Sequence, residues 1–452
     1  MSIVRRVHFF LFASVIVLAP LPLGSNRPWS WSLLAGLVGL LCVTWPIVLL
    51  ADRQAPGVSP RHVAVPLAGF ALVITWAALQ AAPLWPPEWC APDWLEAQRQ
   101  ATGTDQPAFP LAIDGFAVPV GIMRLLCYAG VLWLALQHGR SSRRAHRLID
   151  TLALAGGVYA AYGLLVYATG NDSILLMRKW AYRDDLTATF VNRNHYATYA
   201  GVTLLCAVSA IMNRLAPPMH LRTLVLHLGR RTALFALSAV IGGAALLASG
   251  SRAGIAATLV GGVALAYGRA ASAQPPGAAR RRILLRGCAA VALLLTLAIG
   301  SLVLVRDLDG HFADRLRIYQ LTTDLIAARP LTGYGLGSFA AMFATVRPPD
   351  ILQVWTEAHN TYLELALDLG IPAAAMLVLS VLWLLWACLS GGAVRQRDML
   401  YPLLGGATTV LVGVHALLDF SLQIPAVTVT WAAILGTGVA QSRRHSRSVD
   451  QP

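Results

Sequence analysis

The chain reads as an all-α polytopic membrane protein of about 12 transmembrane helices, and three observations carry that reading. Of its 452 residues, 57% are hydrophobic and only 12% charged, where a soluble domain carries about 25% charged residues. Apolar runs long enough to cross a hydrocarbon layer of roughly 30 Å recur along the whole chain. They leave a single integral membrane domain over residues 1–452 and no stretch for a separate soluble unit beyond the loops. The arginines, third, sit in the short turns between those runs. A formal net charge of +14 on a soluble protein would suggest nucleic acid; here it is first a topology signal, and no nucleic-acid partner is expected.

The first run, residues 8–24 behind Arg5 and Arg6, resembles a signal peptide. It is long, however, and the Pro-Leu-Gly-Ser that follows is a poor cleavage site, so it is read as a retained helix. Runs at 29–51, 63–82, 119–137 and 148–168 come next, then 195–213, 232–249, 253–268 and 284–305. The last three are 371–389, 400–418 and 425–441. With the N-terminus inside, the cytoplasmic segments collect 22 of the 35 basic residues and four of the 21 acids, a balance of +18 inside against −4 outside. That asymmetry predicts cytoplasmic N- and C-termini. Outer loops are then residues 83–118, 169–194 and, between the ninth and tenth helices, the long periplasmic loop 306–370. Five of the six cysteines fall in predicted helices and Cys90 stands alone in an outer loop, which supports neither a disulfide framework nor a cysteine metal site.

Loop 83–118, with Trp85, Trp89, Trp94 and several prolines, reads as an interfacial cap without chemistry. Loop 306–370 mixes Arg, Asp, Tyr, Gly and His with short amphipathic stretches, and a site is expected there. Its first part has helical periodicity, with Leu316, Tyr319 and Ile326 on an apolar face and Arg315 one turn from Tyr319. Pro330 ends that helix, and Gly333, Gly335 and Gly337 allow a tight turn. Taken alone, the turn reads more readily as a helix-to-helix connection than as a phosphate cradle.

His359 starts an amphipathic helix that runs into the next span. An imidazole there can accept a proton from an attacking hydroxyl, although a lone His is more often an interfacial side chain or a cap. In the outer turn Ser249–Gly254, Arg252 stands between two apolar helices, where a cation usually has an anionic partner. Snorkelling to lipid phosphate explains it as well, and Arg124 presents the same choice with less support. Asn192, Arg193 and Asn194 crowd a helix start, where Asn194 could cap the helix or the group could bind sugar hydroxyls or phosphate. His415 and Asp419, one turn apart at the outer end of a span, read as a structural ion pair.

In order, the segments Phe190-Val-Asn-Arg-Asn-His, Ser251-Arg-Ala-Gly, Arg315-Leu-Arg-Ile-Tyr, Pro330-Leu-Thr-Gly-Tyr-Gly-Leu-Gly-Ser-Phe, His359-Asn-Thr-Tyr-Leu-Glu and Leu369-Gly-Ile-Pro resemble the O-antigen ligase family. That family of membrane glycosyltransferases also includes Wzy-type polysaccharide polymerases and protein O-oligosaccharyltransferases. The resemblance covers residues from about 190 to 425, and the first third of the chain matches only in hydropathy. It implies a GT-C-like helical fold in a bacterial inner membrane, surrounded by membrane lipids. It implies a glycan donor on undecaprenyl pyrophosphate, a lipid A core or growing polysaccharide as acceptor, inversion at the anomeric carbon, and neither a metal nor another cofactor. By the same resemblance His359 is the base or acceptor-positioning residue and Arg252 and Arg315 bind the pyrophosphate. Asn192, Arg193, Asn194, Tyr319 and Asn360 complete the expected substrate-binding set. The stretch from Asp419 to Pro425 looks like members found with exopolysaccharide genes, so ligase and polymerase both stay open.

The chemistry is coherent without the family. Displacing a pyrophosphate from a sugar carbon requires that charge on the leaving group be stabilised by a divalent ion or by preorganised cations. Arginine suits the second route because it stays charged and binds phosphate oxygens bidentately. Asp307, Asp309 and Asp314 have no metal-binding spacing. A transporter or flippase is the main rival, but the ionisable clusters lie at helix ends rather than at the bilayer midplane, and no two related halves are visible.

Overall fold

A computed structural model describes residues 3–52, 57–90, 109–215, 229–275, 311–394 and 398–442, with scattered positions in 95–103 and 277–290. The described chain is helical apart from its connecting segments, a two-stranded hairpin, Ser173–Ile174 with Met177–Arg178, and an isolated bridge between Trp85 and Phe109. In chain order the helices are α1 (Ile3–Leu18), α2 (Pro28–Asp52), α3 (Ala64–Ala81), α4 (Ala117–Gly139), α5 (Ser142–Ala168), α6 (Arg193–Arg214) and α7 (Arg230–Ala248). There follow α8 (Arg252–Ser272), α9 (His311–Ala328), α10 (Phe339–Val346), α11 (Thr361–Leu369), α12 (Ile371–Val394), α13 (Leu400–His415) and α14 (Pro425–Gln441). Eight of these, α2 to α8 and α12, are long and apolar enough to cross a membrane. The protein is a multi-pass, all-α membrane protein, and each of the eight falls on an expected run. The run 284–305 lies almost wholly outside the described residues, as do Asp307 and Asp309.

α1, α13 and α14 also coincide with expected runs but have only 16, 16 and 17 residues, short for a layer of roughly 30 Å at 1.5 Å per residue. For α14 the reason is its surroundings. Every residue from Pro425 to Gln441 is buried, and a helix enclosed by protein has no lipid thickness to match. It lies against α4 and α13. A Cβ on Gly436 would stand 2.5 Å from the Leu132 carbonyl of α4, so the close approach needs a residue without a side chain.

α4 and α14 run parallel, with their C-terminal ends together, which defines two ends of the bundle. At one end Gln441 Nε2 donates to the carbonyls of Gly139 and Arg140 at 2.6 and 3.1 Å. Arg144 donates to the His138 carbonyl and Arg214 pairs with Asp150 at this basic end. The opposite end gathers the starts of α6, α8, α11 and α14 with the end of α13, and residues 311–370 fold over it. That segment has its own small core, including Ile318, Leu325, Ile326, Phe339, Phe343 and Leu367. On α9 the buried stripe runs through Ile318, Thr322, Leu325 and Ile326, with Leu316 only half-buried and Tyr319 on its border.

The glycine turn is closed on its own chain. Gly333, Gly335 and Gly337 all have left-handed backbone, with φ of 64°, 104° and 86°, which a side chain disfavours. A Cβ on Gly333 would meet the Gly370 nitrogen at 2.4 Å and the Asp368 carbonyl at 2.5 Å. Gly335 N–H donates to the Asp368 carbonyl at 2.8 Å, and Gly337 N–H donates to Asp368 Oδ2 at 2.7 Å. The amides that could have cradled a phosphate hold a carboxylate of the same chain. On α3, Gln80 Nε2 donates to the carbonyls of Thr332 and Asp368, and Trp76 Nε1 to that of Leu369. The described part of loop 83–118 joins the same assembly: Trp85 stacks on Trp89, and Ile113 N–H donates to the Tyr334 carbonyl. Trp94 lies outside the described residues.

Candidate active site

The start of α6 supplies the first wall. Asn192 is extended and its side chain accepts the Asn194 N–H at 2.8 Å, so Asn192 caps the helix. The Asn194 side chain is thereby available for contacts away from the cap. Its Nδ2 donates to Asp419 Oδ2 at 2.6 Å, and its Oδ1 accepts from Ser251 Oγ at 2.8 Å. Ser251 in turn caps α8 by accepting the Gly254 N–H. Arg252 follows at once, exposed on the first turn of α8.

Asp419 is the convergence point, and it is completely buried. His195 Nε2 lies 3.5 Å from its Oδ1 and His359 Nδ1 lies 3.9 Å from its Oδ2. These are ion-pair distances, too long for hydrogen bonds. The Phe420 N–H donates to Oδ1 at 2.7 Å. Burial alone would raise the carboxyl pKa, but the two imidazoles beside it hold it well below the usual carboxylate range. The expected pairing of Asp419 with His415 is not what forms. α13 ends at His415, and the turn through Leu418 swings Asp419 toward α6 and His359, while His415 Nδ1 shares a 3.2 Å hydrogen bond with Ser421 Oγ.

His359 occupies left-handed backbone at φ 52°, an unfavourable region for a residue with a Cβ. Contacts on both sides hold it there. Its carbonyl accepts from the Tyr319 hydroxyl at 2.8 Å. The next residue, Asn360, caps α11 by accepting the N–H groups of Tyr362 and Leu363, and the Ala358 N–H donates to Glu364 Oε2 at 2.9 Å. Thr361 ties α11 to the turn after α13, its N–H donating to the Ala416 carbonyl and its hydroxyl to the Asp419 carbonyl. The imidazole meets the rings of Trp355 and Phe420 edge-on at 5.0 and 4.8 Å, and Phe420 also meets His195 at 4.5 Å.

Cations border this cluster. Arg315 Nη1 donates to the Leu418 carbonyl at 3.4 Å, directly before Asp419. Arg193 Nη1 pairs with Asp185 Oδ1 at 2.8 Å and stands near the Tyr182 ring. Burial raises the Tyr319 phenol to about 12, so it stays a hydrogen-bond donor. Of the anticipated residues, His359, Asn194, Arg315 and Tyr319 thus meet at Asp419 or its neighbours. Arg193 flanks them with its charge partly offset, Arg252 stands on the rim, and Asn192 and Asn360 commit their carbonyl oxygens to helix caps. Asp419, His195, Ser251 and Asp185 were not anticipated as site residues. His195 and Ser251 belonged to quoted motifs; the available signal was polar residues at helix ends on one side of the bundle.

Chemically, a carboxylate facing Nδ1 of an imidazole favours the tautomer protonated there and leaves Nε2 able to take a proton. Arginines beside it can bind an anionic leaving group. Among the described residues no group of three or more His, Cys, Asp or Glu side chains is arranged to hold a metal ion. Asp314 lies in the first turn of α9.

Residues 237–378, just under a third of the chain, match the O-antigen ligase family. The match takes in Arg252, Arg315, Tyr319, His359 and Asn360 and leaves out His195 and Asp419. A general O-oligosaccharyltransferase of Acinetobacter baylyi is 30% identical over 125 residues, covering 27% of this chain and 21% of that protein. The resemblance to the O-antigen ligase family drawn from the motifs is thereby shown.

Proposed function

We propose that this protein is a GT-C-like, twelve-span glycosyltransferase of the periplasmic face of a bacterial inner membrane. It moves a glycan from undecaprenyl pyrophosphate to an acceptor hydroxyl, with lipid A core as the acceptor. The observation that carries the reading is the pairing of His359 with buried Asp419 beside Arg315. The Acinetobacter relative, by its name, also transfers an oligosaccharide to oxygen.

In this mechanism Nε2 of His359 takes the proton of the acceptor hydroxyl as its oxygen bonds to the anomeric carbon. The bond from that carbon to the pyrophosphate oxygen breaks with inversion, and the leaving group departs with the electron pair. Asp419 stabilises the imidazolium that forms, and Arg315, Arg252 and Arg193 neutralise the pyrophosphate without a metal ion. Asn194 orients the carboxylate.

The test is transfer by the purified protein from a lipid-linked glycan. His359→Ala is expected to lower turnover by about 10² to 10⁴ while donor binding persists. His359→Gln keeps a hydrogen-bonding side chain without a titratable nitrogen, so it should resemble Ala if His359 is the base and retain activity if His359 only positions the acceptor. Wild-type turnover in the Ala variant would refute the mechanism. Offering lipid A core in one reaction and only more donor in another separates ligase from polymerase, and full activity in EDTA is expected.

A further inference from the structure

Phe420, whose ring meets both site imidazoles, also lines a second space of about 240 Å³ that the proposed chemistry does not use. Arg27, Trp31, Arg124, Glu357 and Gln423 line it too. The cleft brings two guanidiniums together. Arg27 lies over the Trp180 ring at 4.7 Å, and Arg124 lies over Trp31 at 5.1 Å while donating to the Gln423 carbonyl. Neither forms an ion pair with any described carboxylate. Glu357, the one acid lining the cleft, accepts from the Thr356 hydroxyl. Both arginines are half-buried, so their charges are less screened than on an open surface.

The chain places Arg27 there at a conformational cost. Leu23, Gly24 and Ser25 are all left-handed, with φ of 56°, 70° and 56°, and two of the three carry a Cβ that disfavours this region. A Cβ on Gly24 would stand 2.7 Å from the Phe190 ring, so the turn is seated against the segment that carries Asn194. Ser25 Oγ donates to the Ala19 carbonyl at 2.7 Å and closes the turn from behind. The cleft therefore borders the site through Phe420, and the turn that leads into it rests on Phe190.

Its chemistry is that of a phosphorylated sugar. Guanidiniums bind phosphate oxygens, a carboxylate and a carbonyl accept from sugar hydroxyls, and the Trp31 indole offers an amphipathic wall. Glu357 offsets part of the positive charge, which disfavours a bare anion and suits a ligand that brings hydroxyl donors with its phosphate. Glu357 stands two residues before His359 in the chain, and Phe420, which lines the cleft, also meets the His359 ring.

We propose that this cleft is the acceptor subsite and takes a phosphorylated saccharide on an amphipathic carrier. The inference rests on the glycosyl-transfer reading above. Purified full-length protein in phosphatidylcholine nanodiscs is titrated with lipid A and with lipid A stripped of its phosphates, followed by tryptophan fluorescence and calorimetry. Wild-type protein should bind the phosphorylated form roughly tenfold or more tightly, as loss of a charge-assisted hydrogen bond implies. Arg27→Ala should erase that difference. In the transfer assay the same variant should raise the acceptor KM about tenfold and leave kcat and the donor KM unchanged. Arg27→Gln serves if the Ala variant does not fold. Equal binding of both lipid forms by wild-type protein overturns the proposal, as does a rise in donor KM. Full displacement of lipid A by phosphatidylglycerol overturns it in favour of a phospholipid site, and displacement by inorganic phosphate in favour of a plain anion site. Phosphate-selective binding through Arg27 without any glycan transfer would leave the subsite standing and remove the transferase reading instead.

Discussion

Asp419 takes its partners from two other parts of the chain, Asn194 and His195 on one side and His359 on the other. Removing its charge should therefore act through the imidazoles. Asp419→Asn is expected to lower turnover by roughly 10² to 10⁴, because an amide no longer selects the tautomer that leaves Nε2 free. Donor affinity should be nearly unchanged, and a variant with wild-type turnover would show that His359 needs no orienting carboxylate. Reading the sequence placed His359 at the site but paired Asp419 with His415, since four residues are one helical turn. The pairing failed because the helix ends at His415; sequence spacing carries side-chain direction only while the helix continues. The same limit misplaced a cap, which the sequence offered to Asn194. Asn192 proved to be the cap and Asn194 the side chain that reaches across, and a helix start misplaced by two residues shifts such an assignment.

The segment 311–370 depends on the closure of its glycine turn on α11. Gly333→Ala combines left-handed backbone with a contact of 2.4 Å to the Gly370 nitrogen, so a loss of about 1–3 kcal/mol is expected from backbone strain alone. Thermal unfolding in detergent measures it, and an unchanged midpoint would mean that the turn relaxes freely. The carboxyl received by that turn brings a pH dependence. Burial raises Asp368 to about 7 and raises its neighbour Glu364 well above its ordinary value. The folded state therefore holds protons that the unfolded chain releases near pH 4. This contribution to stability is complete below the unfolded pKa and is lost as pH rises through about 7. The melting midpoint should fall between pH 5 and 8, and Asp368→Asn should flatten that fall; a slope unchanged in the Asn variant would assign the titration elsewhere. The motif Gly-Tyr-Gly-Leu-Gly announced a tight turn correctly. That the turn receives its own chain's carboxylate was not legible, because Asp368 arrives from 31 residues away.

Across the whole molecule, hydropathy placed the long helices well because each span buries its own backbone polar groups and so declares itself locally. The eight long apolar helices fall where the runs predicted them. What hydropathy could not reveal is which helices face lipid and which are enclosed. Sidedness is a prediction of charge: reporter fusions of alkaline phosphatase at residues 100 and 340 should be active and those at 142 and 275 inactive. Activity at 275 with none at 340 would invert the orientation and put the site in the wrong compartment. The enclosed helix has a consequence for biogenesis. α14 is the last of the described helices to leave the ribosome, yet it is buried along its full length, and Asp419 comes only six residues before it. The earlier described helices therefore leave a slot for it that stays unfilled until α14 has been made. A chain whose synthesis stops before residue 419 has neither the carboxylate nor the helix that fills the slot. On the proposed mechanism such a fragment lacks the carboxylate that orients His359, and with its interior unfilled it is expected to be inactive and readily proteolysed.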